Sequence, residues 1–297
     1  MSAERLQTPT EHRVRVNGIE LSCFEWPARN GAGEQPPVLL VHATGFHARC
    51  WDQVVARLNG RRVFAVDMRG HGRSDKQGPL TWDVFGEDLA QLVRTLELHG
   101  AVGVGHSMGG HSLVQAAAAN PEGFRRLLLL DPVIFPPDRY QPGQAPADYR
   151  DHPTARRRNQ WSSWEAMFKR FADRAPFSHW NPAVLEDYCR WGLVPADDGD
   201  GYVLACPPWV EASVYVNSLD ADIHEQVAAL AVPVTVVRAK APPAQREAMD
   251  FSSSPTWPDL AARFPRGRDL HLADHSHFIP MEAPDLVADL ICDEQDG

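Results

Sequence analysis

The chain has 297 residues, of which 43% are hydrophobic and 23% are charged, values typical of a folded globular protein rather than of a disordered or fibrous one. Its 29 lysines and arginines against 39 aspartates and glutamates give a formal net charge of −10, which repels phosphate backbones and argues against a nucleic-acid partner. Apolar runs such as residues 38–41 and 127–130 are far shorter than the roughly 18 residues needed to cross a bilayer, so no membrane association is expected.

The N-terminal sequence and the cysteines indicate an intracellular protein. The opening residues, MSAERLQTPTEHR, are polar and lack the apolar core of a secretory signal. The five cysteines show neither a CxxC pair nor a zinc-ligand spacing. We therefore expect a cytoplasmic protein with reduced thiols, no metal and no other cofactor.

Short β-rich runs alternate with helical patterns through the first 135 residues. Asn17-Gly18, between two such runs, favours a tight hairpin turn, and continuous apolar runs are typical of parallel strands that are covered on both faces. The predicted strands are residues 13–16, 19–25, 38–42, 63–67, 101–105 and 126–131, and the predicted helices are residues 50–58, 82–98 and 108–119. This alternation predicts an α/β fold with a mostly parallel twisted sheet flanked by helices.

The pattern changes at residue 136 and returns at about residue 223. The segment between is rich in proline, tryptophan and arginine and has helical patterns without a parallel-strand run, so we interpret residues 136–222 as a helical cap inserted into a core domain formed by residues 1–135 and 223–297. Its basic run, residues 156–158, could bind an anion, but we favour a solvent-exposed helix face. After the cap, we predict strands over residues 234–238 and 269–272 and helices over residues 258–264 and 284–291.

A GxSxG motif, Gly105-His106-Ser107-Met108-Gly109, lies between a predicted strand and a predicted helix. A sharp strand-to-helix turn needs small residues beside the serine so that its hydroxyl can project from the end of the sheet. Ser107 is therefore the candidate nucleophile.

A serine hydroxyl needs a base within hydrogen-bond distance, and histidine has a suitable pKa. Of the thirteen histidines, His277 follows the last predicted strand and precedes the last helix, where a loop can bring it over Ser107. His275 and His277 have an HxH spacing, but no third ligand is evident and no metal site is expected.

Four segments together resemble the α/β-hydrolase superfamily, in its cap-bearing branch. They are Leu39–Phe46 (LLVHATGF), Val66–Asp75 (VDMRGHGRSD), Gly105–Gly110 (GHSMGG) and His277–Glu282 (HFIPME). The order of serine first and histidine last is the one this fold requires. The resemblance covers nearly all of the chain outside the predicted cap, and it indicates the fold more specifically than the substrate.

The resemblance implies a third catalytic residue, an acid that normally follows the strand corresponding to residues 234–238. Here that strand is followed by Ala239-Lys240-Ala241-Pro242-Pro243, which contains no carboxylate. Some capped members carry the acid after the preceding strand instead, where this chain has Asp131. We therefore expect Asp131 to orient His277, with Asp250 as the alternative and a structural turn residue as the non-catalytic interpretation of Asp131.

The family pattern also implies two backbone amides for the developing oxyanion. One belongs to Met108, which follows the nucleophile, and the other to Thr44, two positions after His42. The family usually has glycine where this chain has Ala43. His42 itself is expected to be structural.

These residues predict a serine hydrolase that cleaves a carboxylic ester or related carbonyl substrate through an acyl-enzyme. The expected partner is a small molecule with an apolar or aromatic part, because tryptophans and phenylalanines are frequent in the predicted cap. Hydrolysis of a carbon–carbon bond in a ring-fission diketone, or of a lactone, uses the same residues and is an alternative. A ligand-binding homologue without catalysis is an alternative of a different class. The sequence gives no indication of the oligomeric state.

Overall fold

The computed structural model describes residues 8–29, 35–58, 60–141, 143–144, 146–245 and 249–293. Its strands are β1 (Thr10–Val16), β2 (Ile19–Trp26), β3 (Val38–Val41), β4 (Val63–Val66), β5 (Ala101–His106), β6 (Phe124–Leu130), β7 (Gln160–Trp161), β8 (Leu193–Pro195), β9 (Tyr202–Leu204), β10 (Val234–Arg238) and β11 (Gly267–His271). Its helices are α1 (Asp52–Val55), α2 (Trp82–Thr95), α3 (Met108–Ala119), α4 (Trp164–Phe171), α5 (Pro182–Trp191), α6 (Pro208–Val216), α7 (His224–Ala229), α8 (Ile279–Glu282) and α9 (Pro284–Cys292).

Within these residues, eight strands form one sheet in the order β1-β2-β4-β3-β5-β6-β10-β11. The β1–β2 and β2–β4 pairs are antiparallel and the other neighbours are parallel. The predicted fold is therefore confirmed. The predicted hairpin turn is also present, with φ values of 42° at Asn17 and 83° at Gly18, because a type I′ turn needs positive φ at both positions.

The sheet is covered on both faces, as the continuous apolar strands predict. Leu39 and Val41 of β3 belong to a core cluster that also contains residues of α2 and α3. Val38 and Leu40 belong to a second cluster with residues of α1 and α9, since successive side chains of a strand point to opposite faces. This packing fixes β3, β5 and β6 beside one another in the middle of the sheet, and the loops after parallel strands emerge at one edge.

Residues 136–222 contain α4, α5 and α6, and the described part of this segment adds no strand to the large sheet. It also contains a small antiparallel sheet in the order β7-β9-β8. The sequence did not indicate these strands because two or three residues are too few for a periodic pattern. The division into core and cap domains stays a prediction.

The helix expected over residues 258–264 is wrong, since only a 3-10 turn over Ala261–Arg263 forms there. Pro265 disfavours helical backbone at the residue before it, and Phe264 is extended with ψ 138°. The helical backbone therefore ends at Arg263. Among the described residues, every helix is too short or too polar to cross a lipid bilayer.

Candidate active site

Ser107 lies at a sharp turn between β5 and α3, at the edge where the parallel strands end. Its backbone has φ 57° and ψ −118°, a strained conformation for a residue other than glycine. A Cβ atom at Gly109 would lie 2.3 Å from the Val41 carbonyl oxygen, and one at Gly105 would lie 2.5 Å from the Gly109 carbonyl oxygen. The turn therefore requires glycine at both positions, as the motif predicts.

His277 lies directly beside Ser107, although 170 residues separate them in the chain. Its Nε2 is 3.0 Å from the Ser107 Oγ, and its Nδ1 is 2.7 Å from Oδ2 of Asp131. With Nδ1–H donating to the carboxylate, Nε2 is left to accept the serine proton. The structure thus brings together the three residues predicted as nucleophile, base and acid.

The loop that carries His277 is held by residues on both sides. The amide of Ser276 donates to the Glu282 carboxylate at 3.1 Å, which pins the loop to α8. Below it, the His106 ring donates from Nε2 to the His277 carbonyl oxygen at 2.8 Å. Burial lowers the pKa of His106 to about 3, so this ring is neutral and acts as a fixed support for His277.

Asp131, the first residue after β6, is completely buried. Its Oδ1 accepts hydrogen bonds from the Ala239 amide at 3.0 Å, from the Thr256 hydroxyl at 3.1 Å and from the Ser254 hydroxyl. Burial alone would raise the pKa of Asp131, but the hydrogen bonds from His277, Ser254 and Ala239 and the charge of His277 outweigh it and lower the pKa. The group is therefore kept as a carboxylate.

Asp250, the alternative acid, has a different local role. Its Oδ1 accepts a hydrogen bond from the Ser252 amide at 2.9 Å, the geometry of a turn carboxylate. The ring nitrogen that an orienting acid would bind is already occupied by Asp131. The geometry therefore favours Asp131.

Thr44 lies next to Met108, the residue that follows Ser107. The Thr44 hydroxyl is 3.5 Å from the Met108 sulfur. Met108 is the first residue of α3, and the first amides of a helix have no acceptor within the helix. His42 binds its neighbour through Nδ1, 2.7 Å from the Ala43 carbonyl oxygen, and accepts the Met68 amide at Nε2 at 3.0 Å. These bonds are the structural role expected of His42.

A cavity of about 480 Å³ extends between the edge of the large sheet and the inserted segment. The rings of Phe46, Phe251 and Phe278 form the part of its wall nearest to the candidate triad. Phe251 stacks on His277 with 5.7 Å between ring centroids. Ser107 and His277 lie beneath this aromatic layer, outside the cavity wall itself.

A polar cluster interrupts the aromatic wall of the cavity. Arg157 donates from Nη1 to the Glu211 carboxylate and from Nη2 to the Tyr188 hydroxyl, the latter at 3.1 Å. Burial raises the pKa of Glu211 although Arg157 opposes this effect. A Cβ at Gly45 would lie 2.6 Å from Glu211 Oε1, so this carboxylate touches the loop that carries Thr44.

The family model of the alpha/beta hydrolase family matches residues 38–290. The chain belongs to the alpha/beta hydrolase family. This confirms the resemblance and the prediction of an α/β-hydrolase enzyme.

Over most of its length, this hydrolase is similar to proteins that are named as hydrolytic enzymes. It is 29% identical to lipase LipV of Mycobacterium tuberculosis over 272 residues, which cover 89% of this chain and 94% of that protein. The crystal structure of E-2-(acetamidomethylene)succinate hydrolase matches 95% of this chain and 97% of its own, with a TM-score of 0.73 and 22% identity. The thioesterase domain from the curacin biosynthetic pathway matches 97% of this chain and all 100% of its own, with a TM-score of 0.74 and 18% identity.

Several residues that shape the candidate site of this hydrolase were not predicted from the sequence. The exposed face expected for residues 156–158 is wrong for Arg157, whose side chain is only 25% exposed and is bound to Glu211. The hydroxyls that hold Asp131 come from the run Ser252-Ser253-Ser254-Pro255-Thr256, and a cluster of hydroxyls was the one available signal. No group of three or more metal-binding side chains is found in the described part of the hydrolase.

Proposed function

We propose that this hydrolase cleaves a carboxylic ester of a small molecule through an acyl-enzyme, with Ser107 as nucleophile, His277 as general base and Asp131 as the residue that orients the base. The proposal is carried by the continuous hydrogen-bonded chain from the Ser107 Oγ through both ring nitrogens of His277 to the Asp131 carboxylate. The full-length similarity to a protein named as a lipase supports an ester substrate.

In the first half-reaction, Ser107 Oγ attacks the ester carbonyl carbon and its proton passes to His277 Nε2. The amides of Met108 and Thr44 donate to the negative oxygen that forms, and each such donor contributes on the order of 10²–10³ in rate. Collapse of this intermediate breaks the bond to the alcohol oxygen, which takes the proton from His277. The ionised Asp131 stabilises the imidazolium while the proton is held there.

In the second half-reaction, water attacks the acyl-enzyme carbonyl and passes a proton to His277. The bond to Ser107 Oγ then breaks, the serine recovers its proton from His277, and the carboxylic acid leaves. Residues 136–222 act as a cap, which closes the aromatic cavity over the site and excludes bulk water. The substrate's apolar part packs against Phe46, Phe251 and Phe278.

Replacement of the nucleophile tests this proposal. Ser107→Ala should abolish hydrolysis of a panel of aryl esters while the circular dichroism spectrum and unfolding temperature stay near those of wild type. A fluorophosphonate should label the wild-type protein at Ser107 and leave the variant unlabelled. Full turnover by Ser107→Ala, or a wild-type serine that does not react with the fluorophosphonate, would remove the proposed function.

A further inference from the structure

The cavity is positively charged in a protein that is acidic overall. Among the residues that the structure describes, four arginines line it, at positions 157, 158, 170 and 174, against the single carboxylate of Glu211. The chain as a whole carries a formal net charge of −10. The cavity therefore presents the opposite charge from the surrounding molecule, and a concave site focuses such a field onto an incoming ligand.

Two of the four arginines already have partners that occupy them. Arg157 is paired with the buried Glu211. The guanidinium of Arg158 lies 4.2 Å from the centroid of the Trp161 ring, and its Nε donates to the Gln160 carbonyl oxygen at 2.7 Å. The charge of Arg157 is balanced by a carboxylate, and the guanidinium of Arg158 is held against an aromatic ring.

Arg170 and Arg174 differ from this pair. Arg170 lies in the last turn of α4, and Arg174 lies three residues beyond its end. Within the part of the chain that the structure describes, neither forms an ion pair. Both contact the same cavity as the ring of Phe171, so two uncompensated cations and an apolar surface meet there.

We propose that the substrate is an anionic ester, whose carboxylate is bound by Arg170 and Arg174 while its apolar part packs on the aromatic wall. This inference rests on the proposed function, since it names the substrate class of the same site. Arginine suits the role because its planar guanidinium can donate two parallel hydrogen bonds to one carboxylate. The charge acts through substrate binding, whereas Ser107 and His277 act on the ester bond.

Two pairs of esters matched in size test the charge on either side of the scissile bond. The acyl pair is 4-nitrophenyl hydrogen adipate against 4-nitrophenyl heptanoate, and the alcohol pair is 4-acetoxybenzoate against 4-acetoxybenzamide. In at least one pair, kcat/KM should be about tenfold higher for the anion, corresponding to one charged hydrogen-bonded contact. The double variant Arg170→Gln/Arg174→Gln should lose this preference, because kcat/KM for the anion falls toward the value for its neutral partner.

Arg156→Gln is the matched control, because Arg156 is exposed like Arg170 and Arg174 but lies outside the cavity wall. It should keep the full preference for the anion. A wild-type enzyme that hydrolyses both members of each pair equally well, or a double variant that still prefers the anion, would overturn the charge proposal and leave the esterase function standing.

A binding measurement separates the two proposals further. In the Ser107→Ala variant, which cannot turn over, calorimetry should show that adipate binds more tightly than the neutral adipamide, and that Arg170→Gln/Arg174→Gln removes the difference. Equal binding of adipate and adipamide would also contradict the proposal. If all four esters are inert and Ser107 is not labelled by fluorophosphonate, the esterase function fails, and with it the assignment of an anionic ester.

Discussion

Asp131 is a buried carboxylate whose two oxygens have separate partners. Oδ2 binds the ring of His277, and Oδ1 is held by the amide of Ala239 and the hydroxyls of Ser254 and Thr256. The partners of Oδ1 keep the carboxylate fixed, so Oδ2 can set the orientation and tautomer of His277.

Asp131→Asn should lower kcat for an ester by about 10⁴, because the neutral amide neither favours the required tautomer of His277 nor stabilises its imidazolium. Steady-state kinetics on an aryl ester measure this. Asp250→Asn is the control, and it should keep activity close to that of wild type. Comparable losses in both variants would show that the assignment of the acid is wrong.

The sequence indicated which residues meet at the candidate site, but not the residues that hold them in place. Ser107 stands in a motif with a stereochemical reason for each glycine, and the position of His277 follows from the chain order. The contacts of Ser254 and Thr256 with Asp131 span more than 120 residues of sequence. No local pattern records such a contact, since it depends on how two loops meet after the sheet has formed.

The strands of the large sheet were predictable because burial on both faces leaves continuous apolar runs in the sequence. Elements that depend on tertiary context were not. The residues from Pro258 to Phe264 have a helical pattern but lie between two prolines, and β7, β8 and β9 are too short to show a period. The strands that carry Ser107 and Asp131 belong to the predictable set, so the position of the site could be inferred.

Helix α3 carries a buried histidine that links stability to pH. The Nε2 atom of His111 is 3.1 Å from the Ala221 carbonyl oxygen, and its Nδ1 atom is 3.1 Å from the side-chain amide nitrogen of Gln115. Because the Gln115 side chain donates to Nδ1, that nitrogen carries no proton and the ring is neutral. Burial lowers its pKa from 6.5 to about 4.

His111→Gln should therefore make the free energy of unfolding less dependent on pH. Between about pH 6.5 and 4 the unfolded chain binds a proton at His111 that the folded chain does not, so this residue lowers stability as the pH falls, by at most about 1.4 kcal/mol per pH unit. Urea unfolding at several pH values measures the slope for wild type and variant. The exposed His99→Gln variant serves as control and should retain the wild-type slope; an unchanged slope in His111→Gln would contradict the prediction.

Loops of the large sheet and the inserted segment share one apolar cluster. Phe46 follows β3 and Phe278 follows His277, and both pack against Trp180 of the insertion, with ring centroids 5.7 and 5.2 Å apart. Trp180 is only 4% exposed. The residues predicted as a cap are thus attached to the core directly above the candidate active site.

Trp180→Ala should lower the free energy of unfolding by about 3–5 kcal/mol, since it leaves a large cavity at this junction. Trp209, which lies in the same segment, is 43% exposed, and Trp209→Ala should change stability by less than about 1 kcal/mol. Chemical denaturation of both variants measures the difference. Equal stability of the two variants would mean that the junction contributes little to the fold.

The position of Asp131 at the end of β6 affects how this enzyme could be redesigned. The segment after β10 supplies the Ala239 amide, two hydroxyls, the Phe251 ring and the Met249 side chain to the surroundings of the candidate site, but none of the three residues proposed to react. In a hydrolase with its acid after the strand equivalent to β10, grafting a new loop there would delete a reacting group. Here the segment after β10 can be reshaped for bulkier molecules without loss of Ser107, His277 or Asp131, provided that three of its residues are kept: Phe251, whose carbonyl oxygen accepts the His277 amide at 3.1 Å, and Ser254 and Thr256, which hold Asp131.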